Sequence, residues 1–246
     1  MDALEEILTG GQSFSWTKAE DGSYFAVLNE KVYRVRGEED FLSDPFLRNY
    51  YDVDTDYEKA RIEIASKDEL LKEAVEKFPS LRILRQDPWI STISFILSQN
   101  NNIKRIKQLY DRLSQVYGHE VEKGYYSFPT PEELSRTSIQ ELRDLRVGFR
   151  DRFIMDAIEK HEILKRVPEL EYNEAEELLM RITGIGKKVA SCILLFGFHR
   201  MEAFPVDVWI RKVLNTYYPG KEISYFEPHP ALCQQYLFSM ARYIKL

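Results

Sequence analysis

Cysteine is scarce in this sequence, which contains only Cys192 and Cys233 among its 246 residues. Two cysteines supply neither a disulfide framework nor a four-cysteine metal site. The longest apolar run, Val189 to Phe198, is about half as long as the roughly 20 residues that a membrane-spanning helix needs. The first nine residues carry three acids and no basic residue, which argues against a secretory signal peptide. We therefore expect no membrane segment and a reducing cytoplasm.

Positive charge is also in deficit, but unevenly. Of the 34 Lys and Arg residues and the 40 Asp and Glu residues, residues 1–70 hold 8 and 17, and the remainder holds 26 and 23. The N-terminal part therefore has a net charge of −9 and the body a net charge of +3. The total of −6 argues at first against a nucleic-acid partner, but a DNA footprint needs only a local basic patch.

Strand patterns are confined to the N-terminal part. Residues 24–28 and 31–36 are rich in aromatic and β-branched residues, and Asn29-Glu30 lies between them. This arrangement predicts an antiparallel hairpin, which Phe14 and Trp16 extend into a small sheet.

Helical patterns fill the chain beyond about residue 55. Ser66 with Glu69 resembles a capping box, and Asp87-Pro88 places an N-cap before a proline in the first helical turn. We predict the α+β class, with a small N-terminal antiparallel β-sheet domain over residues 1–68 and a helical bundle over residues 69–246. Further helix boundaries are indicated at Gly118, Thr130, Ser138, Asn173 and Pro230.

A Gly-Ile-Gly turn separates two predicted helices, residues 174–181 and 187–198. Gly184 and Gly186 allow a tight turn and leave backbone N–H groups unshielded at a helix N-terminus, where a phosphate binds well. A helix-hairpin-helix of this kind holds a DNA strand without reading its sequence. The three residues alone are also compatible with an ordinary turn between helices.

The second of these helices carries a lysine on an apolar face. Lys188, Cys192 and Phe196 are four residues apart and share that face. Partial burial favours the uncharged, nucleophilic form of an amine, although a lysine that extends its head into water fits the same pattern. Asp207 lies nineteen residues after Lys188 and is placed to cap a helix. An ionised carboxylate is favoured at a helix N-terminus. In a DNA-binding protein, it would also stabilise the positive charge that develops on the sugar of a nucleotide when the base is removed.

Short motifs in order along the chain carry a family resemblance. Residues 10–16 read Gly-Gly-Gln-Ser-Phe-Ser-Trp, residues 84–88 Leu-Arg-Gln-Asp-Pro, and residues 98–103 Ser-Gln-Asn-Asn-Asn-Ile. Residues 148–150 read Gly-Phe-Arg, and residues 234–239 Gln-Gln-Tyr-Leu-Phe-Ser. Together with the hairpin, lysine and aspartate, they resemble the eukaryotic-type 8-oxoguanine DNA glycosylase family of the helix-hairpin-helix glycosylase superfamily.

The resemblance implies a bifunctional DNA glycosylase and AP lyase with no cofactor and no metal. Lys188 matches the nucleophile that attacks C1′ and forms a Schiff base, and Asp207 matches the catalytic aspartate. The implied partner is double-stranded DNA containing 8-oxoguanine opposite cytosine, bound by a monomer. The absence of a basic tail or nuclear address suits the cytoplasm, or nucleoid, of a bacterium or archaeon.

The resemblance also implies a pocket for the flipped base. Gly11 matches a glycine whose carbonyl detects the N7 hydrogen of 8-oxoguanine, which guanine lacks. Cys192 and Phe238 match the two sides of a sandwich around the base. Gln234 matches the residue that reads its Watson–Crick edge. On periodicity alone, an ordinary core position is favoured for Phe238.

Four further residues are implied to bind the rest of the duplex. Asn100 matches the residue that fills the space left by the flipped base, and Phe149 stands where the family often has a tyrosine wedge. Arg105 and Arg150 match residues that bind the estranged cytosine. The residue pattern alone, without the resemblance, predicts a loop at Asn100, a core position for Phe149 and solvated surface positions for both arginines.

Two alternatives remain open from the sequence: a glycosylase for another damaged base on the same fold, and a non-catalytic DNA-damage-binding module. Endonuclease III-like glycosylases share the hairpin, lysine and aspartate, but they usually carry a four-cysteine iron–sulfur site that this chain cannot supply. A non-catalytic DNA-damage-binding module would also use the hairpin, but would not need both Lys188 and Asp207. Lys187, beside Lys188, adds an ambiguity about the nucleophile, and Trp209 stands where some members have a histidine.

Overall fold

A three-stranded antiparallel sheet is the larger of two small sheets in the computed structural model, which describes residues 3–245. Strands β1 (Thr17–Lys18), β2 (Tyr24–Leu28) and β3 (Lys31–Val35) are neighbours in that order. Asn29-Glu30 joins β2 to β3 with φ angles of 47° and 59°, which is the left-handed geometry of a two-residue hairpin turn. The predicted hairpin is confirmed, with β3 one residue shorter than expected.

Phe14 and Trp16 do not extend this sheet, contrary to the prediction. They precede β1 and are 4% and 1% exposed, so they belong to the core. The Trp16 indole N–H donates to the hydroxyl of Tyr50 at 3.1 Å, and the hydroxyl of Ser13 lies at the same distance from it. Residues 13–16 are therefore held by side-chain hydrogen bonds to Tyr50 and not by backbone pairing with a strand. The periodicity of the sequence does not distinguish a buried loop of this kind from a strand.

Thirteen α-helices are described within residues 3–245. Asp87 caps the fifth of them as predicted, since its carboxylate accepts the Ile90 N–H at 2.9 Å. The α+β class is confirmed. The helices are α1 (Ala3–Thr9), α2 (Pro45–Tyr50), α3 (Tyr57–Ala65), α4 (Glu69–Lys77), α5 (Pro88–Ser98), α6 (Ile103–Tyr117), α7 (Pro131–Leu134), α8 (Ile139–Asp144), α9 (Asp151–Glu159), α10 (Tyr172–Leu179), α11 (Lys187–Phe198), α12 (Val208–Tyr217) and α13 (Pro230–Met240).

The capping box predicted at Ser66 and Glu69 is wrong. Ser66 ends α3, and Asp68 caps α4 by accepting the Leu71 N–H at 2.9 Å. Two good N-cap residues stand two positions apart here, and an aspartate next to the first helical residue forms the cap directly.

The expectation that only helices follow residue 55 is also wrong. Strands β4 (Glu120–Glu122) and β5 (Tyr125–Tyr126) form a small antiparallel hairpin after α6. The ring of Tyr125 meets Phe25 of β2 edge-on, with centroids 5.4 Å apart. Strands of two and three residues are too short to show alternation in the sequence, and their position depends on this contact with the first sheet.

Helix α1, near the start of the chain, contacts α13, near its end. The hydroxyl of Ser239 donates to the carboxylate of Glu6 in α1 at 2.7 Å. Buried residues from Leu4 to Ala241 form one hydrophobic cluster, while the proposed division after residue 68 stays a prediction. Among residues 3–245, no helix is both long and apolar enough to cross a bilayer.

Candidate active site

A cavity of about 460 Å³ opens between α5, α11, α13 and the loop that follows α1. A second depression of about 540 Å³, between the first sheet and α6, contains none of the residues predicted to be functional. The cavity brings together all of the residues predicted for catalysis and for the base pocket, which are Gly11, Lys188, Cys192, Asp207, Gln234 and Phe238.

Lys188 enters the cavity from the first turn of α11. Its side chain is half-buried, and Nζ lies 5.6 Å from the centre of the Phe95 ring on α5. Cys192, one turn further along α11, is 4% exposed. Burial raises the pKa of the Cys192 thiol, and the nearby Lys188 ammonium opposes that shift. Lys187 is exposed and is not part of the cavity wall, so the geometry distinguishes the two lysines.

Asp207 faces the same cavity from the start of α12. Its Oδ1 accepts the backbone N–H of Ile210 at 2.8 Å, so it caps the helix as predicted. The partial positive charge of a helix N-terminus favours an ionised carboxylate there. Asp207 is the one acidic side chain among the described residues of the cavity wall. It therefore places a negative charge in the chamber that contains the Lys188 amine.

Gly11 closes the cavity at a point where a side chain would press on its neighbours. Its φ angle is +122°, and a Cβ added to it would lie 3.2 Å from Ile103 Cδ1 and 3.4 Å from Phe238 Cε1. The next residue, Gln12, fixes this loop, because its side chain accepts the Leu84 N–H at 3.0 Å. The backbone of Gly11 is thus exposed to the cavity at a fixed position.

Gln234 lies at the floor of the cavity and is 3% exposed. Its Nε2 donates to the carbonyl of Pro205 at 3.0 Å, and its Oε1 accepts from Gln235 at 2.7 Å. One N–H and one lone pair of this amide remain for a ligand. Phe238 is half-buried one turn later in α13, so the two residues share one helix face as expected.

The Gly-Ile-Gly turn joins α10 to α11 and is fastened to α9. Gly184 has a φ angle of +84°, and a Cβ there would lie 2.3 Å from the Phe153 ring. The Thr183 N–H donates to Asp156 at 2.7 Å. Gly186 is exposed at the start of α11, and a Cβ added there would meet nothing within 4 Å. The turn therefore presents open backbone at a helix N-terminus, where anions bind.

The four residues predicted to contact the rest of the duplex lie outside the cavity wall. Asn100 is exposed with a φ angle of 49°. Phe149 is 52% exposed and meets Phe153 edge-on at 5.8 Å. An exposed phenylalanine on a fixed turn is available to enter a base stack.

The two arginines in this group are engaged with backbone carbonyls. Arg150 is 7% exposed and donates to Val147 at 2.9 Å and to Asn100 at 3.2 Å. Arg105 donates to the carbonyl of Arg146 at 3.0 Å. Arg150 therefore connects the turns that carry Asn100 and Phe149, instead of lying free on the surface.

Several residues of the cavity wall were not assigned to it from the sequence. Phe14, Phe95 and Phe196 form its apolar side, and Trp209 and Arg242 lie at its exposed edge. Spacing offered one signal, because Gln234, Phe238 and Arg242 are four residues apart. Within residues 3–245, no three His, Cys, Asp or Glu side chains are grouped so that they could hold a metal ion.

Two family models cover most of the chain. The model of HhH-GPD superfamily base excision DNA repair proteins matches residues 93–231. The model of the 8-oxoguanine DNA glycosylase N-terminal domain matches residues 3–44 and 43–91.

Curated relatives agree with these matches over part of their length. A probable N-glycosylase/DNA lyase of Methanothermobacter thermautotrophicus is 31% identical over 64% of this chain and 59% of its own. The N-glycosylase/DNA lyase of Saccharomyces cerevisiae is 35% identical over 56% of this chain and 42% of its own. The chain thus spans about half the length of these relatives.

Solved structures match over nearly the whole chain. The structure of MBOgg1 with a low-affinity DNA ligand has a TM-score of 0.88 and 35% identity, covering 97% of this chain and 91% of that one. The Clostridium acetobutylicum 8-oxoguanine glycosylase/lyase, with duplex DNA containing cytosine opposite 8-oxoguanine, has a TM-score of 0.86 and 32% identity, with the same coverage. The chain therefore belongs to the 8-oxoguanine DNA glycosylase family within the HhH-GPD superfamily of base excision DNA repair proteins.

Proposed function

We propose that this protein excises 8-oxoguanine from duplex DNA as a bifunctional glycosylase and AP lyase. The observation that carries the proposal is the meeting of Lys188 and Asp207 in one cavity of about 460 Å³. A nucleophilic amine and a fixed carboxylate are the pair that covalent displacement of a base from a sugar, with formation of a Schiff base, requires. The names of the relatives support the same activity.

The substrate base reaches the cavity only outside the helix stack. Flipping a nucleotide costs a few kcal/mol, and contacts with the remaining duplex offset that cost. Phe149 and Asn100 are both exposed and are tied to each other through Arg150. In the proposed complex, Phe149 enters the base stack and Asn100 fills the space that the flipped base leaves. The guanidinium groups of Arg105 and Arg150 then donate to the estranged cytosine in place of the backbone carbonyls that accept from them now.

Recognition of the base follows from the walls of the cavity. The ring enters between Cys192 and Phe238, and the amide of Gln234 binds its Watson–Crick edge. The carbonyl of Gly11 accepts the N7 hydrogen that 8-oxoguanine has and guanine lacks. Guanine would leave this buried acceptor unpaired, at a cost of about 1–3 kcal/mol.

The first chemical step breaks the bond between the base and C1′. The Lys188 amine bonds to C1′ as the glycosidic electron pair leaves with the base, which then takes up a proton. Asp207 stabilises the positive charge that develops on the sugar during this exchange. The sugar ring then opens as O4′ leaves C1′, and Lys188 is joined to C1′ as an imine.

The second step breaks the DNA strand. The imine withdraws electrons from C2′, so a C2′ proton is removed and the C3′–O bond breaks by β-elimination. The strand is nicked 3′ to the lesion, and hydrolysis of the imine regenerates Lys188. No metal or redox cofactor enters this balance.

Borohydride trapping tests the proposal. We expect wild-type protein to become covalently attached to a duplex with one 8-oxoguanine opposite cytosine, because reduction makes the imine permanent. Lys188→Gln should bind the duplex without forming the adduct, and Lys187→Gln, one residue away and outside the cavity wall, should still form it.

Three outcomes would contradict the proposal in different ways. Base release without trapping would make the enzyme monofunctional, and trapping of Lys188→Gln would move the nucleophile. Failure to release 8-oxoguanine, with release of another damaged base, would keep the chemistry and change the substrate. A location in the bacterial or archaeal cytoplasm stays a prediction.

A further inference from the structure

Arg242 lies at the mouth of the cavity, in line with the residues that form its floor and side. Gln234 is 3% exposed, Phe238 is half-buried, and Arg242 is exposed. The Arg242 guanidinium lies 5.9 Å from the centre of the Phe238 ring. Arg242 follows the last residue of α13, Met240, by two positions, and in the turn after the helix its guanidinium lines the same cavity as Gln234 and Phe238.

Glu6 of α1 holds this guanidinium in place. Arg242 Nη2 donates to Oε1 of Glu6, which also accepts the Ser239 hydroxyl at 2.7 Å. Glu6 is 3% exposed, and its Oε2 is buried without a hydrogen-bond partner in the described structure. A buried carboxylate needs a cation nearby, so the pair is strongly favoured over a separated Glu6 and Arg242.

The guanidinium keeps donors for a second anion. Glu6 is the one hydrogen-bond acceptor of the Arg242 side chain among residues 3–245, and that side chain is 32% exposed. Arginine has five N–H donors, and its planar fork matches a phosphate group. Glu6 offsets the charge of Arg242, but Lys104 and Lys188 still outnumber Asp207 in the cavity wall, so the cavity favours an anionic ligand.

We infer that Arg242, which is paired with Glu6, binds a phosphate flanking the flipped nucleotide. This inference rests on the proposed function, because a flipped base must occupy the cavity for its phosphate to reach the mouth. Two residues of α13 and one residue of the turn after it then bind successive parts of one nucleotide. Gln234 meets the base edge, Phe238 the base face, and Arg242 the phosphate.

Salt dependence of binding tests the phosphate contact. The dissociation constant for the 8-oxoguanine duplex is measured from about 50 to about 300 mM KCl in the Lys188→Gln background, which prevents turnover. Loss of one phosphate contact lowers the slope of log affinity against log salt by about 1. We expect Arg242→Met to show this change with about tenfold weaker binding, and Arg242→Lys to keep the slope.

A matched control and a modified DNA make the test specific. Arg36 is also paired with an acid, Asp21 at 2.8 Å, but it lies after β3 in the first sheet, so Arg36→Met should leave affinity and slope unchanged. The phosphate on each side of the lesion is replaced in turn with a neutral methylphosphonate. At one of these two positions, the Arg242→Met variant and its parent protein should then bind the duplex with equal affinity. A non-additive effect of this kind identifies two groups in contact.

The outcomes separate this inference from the proposed function. Wild type that does not release a damaged base would overturn the proposed function and this inference with it. Wild type that releases 8-oxoguanine, combined with an unchanged salt slope for Arg242→Met, would overturn the inference alone. Additive effects of Arg242→Met and both methylphosphonates would do the same, even if the variant is less stable.

Discussion

The carboxylate of Asp207 accepts the backbone N–H of Ile210 at 2.8 Å while it faces the cavity that holds Lys188. Capping and catalysis are therefore combined in one side chain, and two substitutions separate them. Asn is as good an N-cap as Asp, whereas Ala costs about 1 kcal/mol. We expect Asp207→Asn to keep the free energy of unfolding within a few tenths of a kcal/mol and to slow single-turnover base release about 100-fold or more.

Asp207→Ala is the companion variant, and it should lose both stability and rate. Urea unfolding and single-turnover release from an 8-oxoguanine duplex measure the two effects separately. If Asp207→Asn releases the base at the wild-type rate, the carboxylate has only its structural role at the start of α12.

Gly11→Ala should weaken binding of the lesion. The added methyl group would press on Ile103 and Phe238 at 3.2–3.4 Å, on a backbone with φ of +122°. The methyl group also narrows the cavity that the base enters, and overpacking against the base costs about 1–3 kcal/mol, so the affinity for an 8-oxoguanine duplex should fall about tenfold. Affinity for undamaged DNA should change little, because that DNA places no base in the cavity.

Gly22→Ala is the control for backbone strain. Gly22 also has a positive φ, +81°, but a Cβ there meets nothing within 4 Å. Both variants should lose stability from the left-handed backbone, and only Gly11→Ala should lose lesion affinity in a fluorescence anisotropy titration. Equal lesion affinities for the two variants would remove Gly11 from the pocket.

The two hairpin glycines should differ sharply in their tolerance of alanine. A methyl group on Gly184 would lie 2.3 Å from the Phe153 ring, with φ at +84°, whereas Gly186 has open space around it. We expect Gly184→Ala to destabilise the fold by about 2 kcal/mol or more. Gly186→Ala should cost at most about 1 kcal/mol, because alanine is the poorer N-cap while the extended backbone of Gly186 accepts it without strain. Urea unfolding curves of both variants decide this, and equal losses would mean that α9 does not support the turn.

The parts of the site that the sequence predicted are those that local spacing determines. Lys188 and Cys192 share a helix face, Asp207 caps a helix, and Gln234 and Phe238 lie one turn apart. In each case a four-residue period or a cap places the side chain before any tertiary contact is known. The order of helices and the first hairpin follow from the same kind of local pattern.

The parts that were missed depend on partners distant in the chain. The sequence alone predicts that Arg150 is a solvated surface charge, but its guanidinium donates hydrogen bonds to the carbonyls of Gln99 and Asn100. In the sequence, Glu6 is one of several acids in an acidic segment. In the structure it pairs with Arg242, which lies near the other end of the chain. Periodicity contains no information about such pairs, because they form only when the helices pack.

A pH-dependent contact joins the first sheet to the helical part at His119. Nδ1 of His119 lies 2.9 Å from Glu133 of α7, and Nε2 pairs with Glu30 in the β2–β3 turn. The hydrogen bonds to these two carboxylates raise the pKa of His119 above its ordinary value, and the bond to Glu133 has the larger effect. A pKa raised by folding stabilises the protein fully below the unfolded value of about 6.5, and this stabilisation is lost as the pH rises through the folded value.

His119→Gln should therefore matter more in acid than in base. The difference in unfolding free energy between wild type and His119→Gln should be larger at about pH 5.5 than at about pH 8.5, and modest because the His119 side chain is 47% exposed. Glu30→Gln should reduce that pH dependence, since it removes one of the two anions that favour the imidazolium. Urea unfolding at the two pH values measures the difference, and an equal effect of His119→Gln at both would show that the contact is a neutral hydrogen bond that does not titrate.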